Sequence, residues 1–460
     1  MPRFSLYPLI GAAVLVAGCA VQPVPDDAQL ALPEQWHRLP LQQERAGAAL
    51  SKDWWAQFGS QELRAVVEQA LANNQDVAVS LARLEQAWAM ARMVGASRGP
   101  EVSMDLNASR QGRLGGSPDT AGSKVALGLT ASYEVDLWGR LSAERESAVF
   151  HAVASEWDAQ TVALTVSAET AAAWIRMNGL RQRLAIAESD LASAQRLSAL
   201  VRARVQAGSE SPLALAQQET LVAKQGASIA LLRQQTAQAQ ALLALWLGQT
   251  TKPDSTARDL ADLLTPALDA GLPSELLVRR PDIQAAEARL RAGDGDVTAA
   301  RAAMFPSLKL SATVGGADGQ LSQELDNPVY LLAGGLLAPI FNAGRLAAGH
   351  EAAIAQRRAL LAQYRQAILQ GFADVQMSLD AVVGTQQQWD AQKEVLRQAD
   401  RAFSLSQTRY REGGESVLSL LDTQRSLYAA QDAAVQRQAD RLLAAVGLYR
   451  ALGGAWQAQE

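Results

Sequence analysis

The sequence predicts a mainly α-helical fold that carries a transmembrane β-barrel and is built as two structural repeats per chain. Three observations point there. First, landmarks of one half recur in the other at an offset of 205 or 206 residues: Pro100 with Pro306, Gly139-Arg140-Leu141 with Gly344-Arg345-Leu346, and Arg204-x-x-x-Gly208-x-Glu210-Ser211 with Arg409-x-x-x-Gly413-x-Glu415-Ser416. A register held over so long a stretch marks a large duplicated unit and not a short solenoid repeat. Second, residues 119–211 and 340–460 contain no proline, the residue that breaks helix interiors. Third, short segments between these stretches alternate polar and apolar residues with a period of two.

Composition narrows the class. The 460 residues are 48% hydrophobic but only 5% aromatic, which suits long helices packed through small side chains. With 42 Lys and Arg against 47 Asp and Glu, the net charge of −5 leaves no basic footprint for nucleic acid, which is excluded as a partner.

The N-terminus, residues 1–18, resembles a bacterial lipoprotein signal: Arg3, an apolar run from Leu9 to Ala17, then Val16-Ala17-Gly18-Cys19. Removal of the signal leaves Cys19 as the first residue and the attachment point for acyl chains, which anchor the protein to membrane lipid. Cys19 is the only cysteine, so disulfides and cysteine metal sites are excluded. Ala20 is not aspartate, which in such lipoproteins implies delivery to the outer membrane. No later run of about 18 apolar residues offers a transmembrane helix. A membrane-spanning part must therefore be a closed barrel.

Residues 19–99 hold the lipidated segment and a helix expected over 61–93. Residues 100–138 form the first β-hairpin: Val102, Met104, Leu106 and Ala108 alternate with Ser103, Asp105, Asn107 and Ser109, and a second strand follows at 125–133. About ten alternating residues per strand match a transmembrane barrel. Residues 139–246 read as a long helical hairpin. Leu180, Leu184, Ala187, Leu191, Ala194, Ser198, Val201 and Val205 mark a coiled-coil seam, and a helix from about 140 to 205 spans about 100 Å. Glycine at the turn and Pro212 opening the next helix are the expected punctuation. A segment expected to be equatorial (247–281) and a helix (282–305) lead to the second β-hairpin (306–341), whose last strand, near 330–341, alternates poorly. Residues 342–460 repeat the helical hairpin, its seam shifted to Thr385, Trp389, Gln392, Leu396, Ala399, Phe403, Ser406 and Tyr410. Four strands cannot close a conducting barrel, so the chain must oligomerise.

A search for chemistry returns little. Gly95-Ala96-Ser97-Arg98-Gly99 matches the G-x-S-x-G pattern of nucleophile elbows, but a helix precedes it and a strand follows, the reverse of what that elbow needs. His37, His151 and His350 are far apart and form no metal motif; no phosphate-cradling or dinucleotide glycine loop is present. The expectation is a non-enzyme without cofactors. Leu418 and Asp422, four residues apart on one helix face at the second hairpin tip, would form rings in an oligomer.

These residues carry a family resemblance. Asp53-Trp54-Trp55-x-x-Phe58, Ala70-Leu71-x-Asn73-Asn74, Asp136-Leu137-Trp138-Gly139-Arg140, and Leu272-Pro273-Ser274-x-Leu276-Leu277-x-Arg279-Arg280-Pro281-Asp282-Ile283 with Phe305-Pro306-Ser307 resemble the outer-membrane efflux proteins of the TolC and OprM type, most closely the NodT-like lipoprotein branch. Gly293-x-Gly295 departs from the helix-favouring residues usual there and puts local helix stability in question. The resemblance implies a homotrimer with a shared 12-stranded β-barrel, continued by a long periplasmic α-helical barrel with an equatorial belt. It implies the exit duct of a tripartite pump, docked through a periplasmic adaptor (membrane fusion) protein to an inner-membrane transporter of the resistance-nodulation-division (RND) type. It also implies a periplasmic gate at Leu418 and Asp422 and adaptor-contact tips at Arg204, Gly208, Ser211, Arg409, Gly413 and Ser416; Gln217 stands in the first copy where Asp422 stands in the second. A membrane-tethered adaptor would show one hairpin between β domains, and a coiled-coil scaffold would show no alternating strands.

Overall fold

In the computed structural model, the residues described are 53–112, 122–251, 260–266, 273–316 and 329–454, together with Pro33, Gln35, Trp36, Gly115 and Pro253. Cys19, the signal segment and His37 lie outside them.

The expected single helix over 61–93 is two helices, α1 (Gln61–Asn73) and α2 (Gln75–Ala96). Asn74 breaks it. Its backbone is extended, its Oδ1 accepts from the N–H groups of Asp76 at 2.9 Å and Val77 at 3.4 Å, and its Nδ2 donates to the Trp246 carbonyl at 3.0 Å. An asparagine cap satisfies donors that a continuous helix would leave to its own carbonyls, and so competes with it.

Next come β1 (Glu101–Gln111), β2 (Gly122–Val135), α3 (Arg140–Gln206) and α4 (Pro212–Trp246). A single helical turn, α5 (Leu276–Arg279), precedes α6 (Pro281–Ala302), β3 (Ser307–Gly316), β4 (Val329–Leu337), α7 (Arg345–Arg411) and α8 (Val417–Ala451). The duplication holds to the residue: α3 and α7 have 67 residues each, α4 and α8 have 35 each. At 1.5 Å per residue the long helices run about 100 Å.

The four strands form one antiparallel meander in the order β1-β2-β3-β4, so β2 and β3 join the two hairpins. Cross-strand partners keep like with like: Leu106 faces Leu127, Met104 faces Leu129, and the Thr130 and Thr313 hydroxyls lie 3.2 Å apart. One face is thus apolar across β1, β2 and β3 and the other polar. β4 ends at Leu337, ahead of Pro339, and its weak alternation is real: backbone pairing with β3 holds it while both of its faces are apolar.

A buried core explains the aromatic cluster at Trp54, Trp55 and Phe58. Trp54 stacks on Tyr449 at 5.0 Å, and Trp54, Trp55, Phe58, Trp174 and Tyr449 are buried together. The Trp174 indole donates to Glu62 at 2.9 Å. Nearby, the buried Arg280 guanidinium donates to Asp282 at 2.7 Å, Asp374 at 3.0 Å and the Ala451 carbonyl at 3.0 Å, tying α6, α7 and the end of α8 together. A buried arginine is tolerated only with partners of this kind.

Gly295 lets α6 pack closely on α3. A Cβ on Gly293 would meet the Leu360 Cδ1 of α7 at 2.8 Å, and one on Gly295 would meet the Ala143 carbonyl oxygen of α3 at 3.0 Å. At Gly295 the backbone of α3 itself approaches, so a methyl group there requires one helix to shift, whereas at Gly293 the neighbour is the end of a flexible leucine side chain. Gly295→Ala is expected to destabilise the protein by about 1–3 kcal/mol through overpacking. Gly349→Ala, at a helical position with open space around it, should instead stabilise by about 0.5–1 kcal/mol. Thermal unfolding followed by circular dichroism distinguishes them, and an equal effect of both would refute the packing role.

Candidate functional site

The two hairpin tips, where the sequence places its site residues, are built alike. At the end of α3 the Gly208 N–H bonds the Val205 carbonyl at 3.0 Å and the Ser209 N–H bonds the Arg204 carbonyl at 2.9 Å. At the end of α7 the Gly413 and Gly414 N–H groups do the same to Tyr410 at 3.2 Å and Arg409 at 2.9 Å. Gly208 and Gly413 adopt φ of 75° and 81°, the left-handed conformation this termination requires. Ser211 and Ser416 then cap α4 and α8, each hydroxyl accepting from the N–H three residues on, Ala214 and Ser419, at 3.2 Å. Four of the six expected adaptor-contact residues therefore have a local duty: they make the turns.

Arg204 and Arg409, equivalent in sequence, part company in space. Arg409 is exposed. Arg204 is half-buried and reaches across to the other hairpin, with its Nη2 3.1 Å from the Tyr410 carbonyl and 3.4 Å from that of Arg411, and its guanidinium 4.2 Å from the centre of the buried Tyr410 ring. A cation on the last carbonyls of a helix complements the helix dipole, and the aromatic face adds a cation–π contact. Around this bracket Ala194, Leu197 and Val201 of α3, Ala214 and Leu221 of α4, and Val417, Leu420, Leu421, Leu427 and Tyr428 of α8 form one apolar cluster, so the two tips are a single packed body.

At the start of α8, Leu418 and Asp422 face solvent, with Leu420 turned to the far side and Leu421 packed inward beside them. Leu418 is 59% exposed and Asp422 is exposed, whereas Leu420 and Leu421 are fully buried. In the first copy Leu213 is likewise exposed, while Gln217 is half-buried. One solvent face of the second tip thus carries a leucine and, one turn along, a carboxylate.

Sequence reading missed a second feature behind the tips. Asp190 of α3 is buried, and that burial, reinforced by nearby Asp432 of α8, pushes its carboxyl up to about 7. Asp432 accepts from Arg183 at 2.7 Å and from Gln436 at 2.6 Å. The Tyr428 hydroxyl donates to the Asp190 backbone carbonyl at 2.9 Å and accepts from Gln424 at 2.7 Å. The only sequence signal was an aspartate beside the coiled-coil seam, a position that spacing alone leaves on the surface.

Elsewhere Ser97 of the G-x-S-x-G match is the exposed C-cap of α2, in the turn leading to β1. Among the described residues no three His, Cys, Asp or Glu side chains are grouped as metal ligands, and no helix is long and apolar enough to cross a membrane.

Two copies of one hairpin-plus-strands unit match a known pattern. The family model for outer membrane efflux proteins matches residues 66–249 and again 272–454. The chain belongs to the outer membrane efflux protein family. It is 44% identical to the pyoverdine export outer membrane protein OpmQ of Pseudomonas aeruginosa, over 98% of this chain and 96% of that one. It is 42% identical to OpmQ of Pseudomonas putida, over 100% of this chain and 98% of that one. The open-state crystal structure of the Neisseria gonorrhoeae MtrE outer membrane channel superimposes with a TM-score of 0.87 at 28% identity, covering 95% of this chain and 98% of that one. The fold is accordingly that of one protomer of a trimeric 12-stranded β-barrel continued by a helical barrel. This efflux protein is an outer-membrane channel, from a family of channels and not of enzymes that works in tripartite pumps.

Burial of Asp190 predicts a pH-dependent stability for the helical part of this channel. The folded carboxyl keeps its proton to about pH 7, whereas in the unfolded chain it ionises near pH 4. The folded state therefore binds more protons between these values, and its stability falls as pH rises from about 4 to 7. Asp190→Asn is expected to raise the thermal midpoint by a few degrees at pH 8 and leave it nearly unchanged at pH 4; a uniform shift at both would contradict the assignment.

Proposed function

We propose that this efflux protein is the lipid-anchored exit duct of a tripartite pump that exports a pyoverdine-like cargo. The observation that carries the cargo is the full-length identity of 44% and 42% to two proteins named for pyoverdine export. In the proposal, Cys19 holds the acyl chains, and the RND type of the inner-membrane transporter follows from the family resemblance alone. Arg409, Gly413 and Ser416, with Gly208 and Ser211, present the turns to the periplasmic adaptor, and Arg204 supports that surface from within by holding the two tips together.

Leu418 and Asp422 are the gate in this reading. Their exposed face in the single chain supports it, since a face left free by one protomer is available to a ring of three. Three Leu418 side chains on one axis close a bore by dewetting, while three Asp422 carboxylates repel one another. Closure is then held by packing, and an adaptor that binds the open arrangement more tightly shifts the population.

Three measurements test the proposal. Chromatography of culture medium should show loss of exported pyoverdine-type product when the gene is deleted and its return on complementation; an unchanged level refutes the cargo. In planar bilayers, Leu418→Ala/Asp422→Ala should raise conductance about tenfold, and an unaltered conductance puts the constriction elsewhere. Mass spectrometry should find an acylated N-terminal peptide beginning at Cys19, absent in Cys19→Ser.

A further inference from the structure

The register of β4 assigns its residues to the two sides of the barrel wall. On β3, Leu310, Ala312 and Val314 lie on the apolar face that turns to lipid, and Lys309, Ser311 and Thr313 on the polar face that turns to the lumen. Cross-strand partners share a face. Lys309 pairs with Gly335, Ser311 with Ala333 and Thr313 with Leu331, and beyond them Ser307 pairs with Leu337 and Gly315 with Val329. Five successive lumen-facing positions of β4, Val329, Leu331, Ala333, Gly335 and Leu337, therefore carry no polar side chain. A barrel with a water-filled interior ordinarily alternates apolar-out and polar-in, as the other three strands do here. At about 3.4 Å per residue the stripe is about 27 Å long measured along the strand, and with the tilt of about 35–45° usual in such barrels it covers most of the height of the membrane-spanning band.

Resting on the reading of this chain as a duct, we propose that β4 determines solute preference inside the barrel. Its apolar lumen stripe, present three times in the trimer, gives solutes with an alkyl or aryl group a weak surface to travel along. Fully hydrophilic solutes of the same charge find no such surface. An apolar group resting on the stripe leaves water on one side only, so retention is slight. Equivalent positions recur at every second residue, about 6.7 Å apart, and passage by many weak sites is what lets a channel hold a solute without trapping it.

The test uses the full-length trimer in planar bilayers, with tetramethylammonium or octyltrimethylammonium added on the extracellular side, below the micelle concentration of the latter. Both probes carry one positive charge and differ by a short alkyl chain. Wild-type current should be blocked by the octyl probe at a concentration about tenfold lower. In Val329→Thr/Leu331→Asn/Leu337→Asn that preference should shrink to about twofold or less, with tetramethylammonium block unchanged. Leu332→Asn, on the lipid side, should lower the yield of inserted trimer but keep the preference in whatever inserts. If the triple variant does not assemble, Leu331→Ser alone carries the comparison and should reduce the preference measurably. Equal block by the two probes in wild type, or an undiminished preference in a conducting lumen variant, overturns the proposal. The measurement is repeated in Leu418→Ala/Asp422→Ala, where the tip gate is removed, and absence of current in both proteins would instead overturn the duct reading beneath it.

Discussion

Backbone hydrogen bonding in the membrane constrains everything else in this molecule. In the single chain, β1 and β4 are the edges of a four-stranded meander, each with one unpaired row of N–H and C=O groups. Inside a bilayer no water can satisfy those groups, so each edge must find a strand. Pairing β4 of one copy with β1 of the next closes the wall without edges, and three copies supply the twelve strands of the family's barrel. Closure fixes an axis. Because each strand pair leads into a helical hairpin, that axis then orders the helices and brings equivalent tip residues of the three copies around one point.

The equal lengths of the duplicated helices gain their meaning from that arrangement. A helix lengthened by one residue would displace its tip by about 1.5 Å and rotate it by about 100°. The apolar cluster shared by the tips, with Tyr410 at its centre and Arg204 laid over it, tolerates neither. Duplication has still left room for division of labour. The same arginine of the repeated motif is a bracket between hairpins in the first copy and an exposed side chain in the second. The leucine of each tip stays exposed, but only the second copy adds a carboxylate one turn further along.

Much of the candidate site was legible because it is local. Glycine at a left-handed turn, serine at an N-cap and a leucine and aspartate four residues apart are patterns whose geometry is set within a few residues. Arg204 and Asp190 were not legible in the same way. Their surroundings come from α7 and α8, more than 200 residues away, and nothing near them in sequence distinguishes a bracket or a buried carboxyl from a solvated charge. Gly295 of α6 misled for the same reason: helix propensity counts its cost, while the benefit is the approach of α3.

The sequence by itself determined the periodic and the repeated: two long helical hairpins, alternating strands, the turns between them and a lipoprotein-like start. Short-range sterics and hydrophobic period dictate these wherever the chain is placed. Tertiary structure decided what depends on partners distant along the chain. It joined the two β-hairpins through β2 and β3 and broke the first helix at Asn74 by giving that side chain the Trp246 carbonyl. It also made a strand of β4, whose apolar residues on both faces hide the period of two. There a neighbouring backbone, and not the pattern of side chains, sets the register and decides which residues look into the lumen.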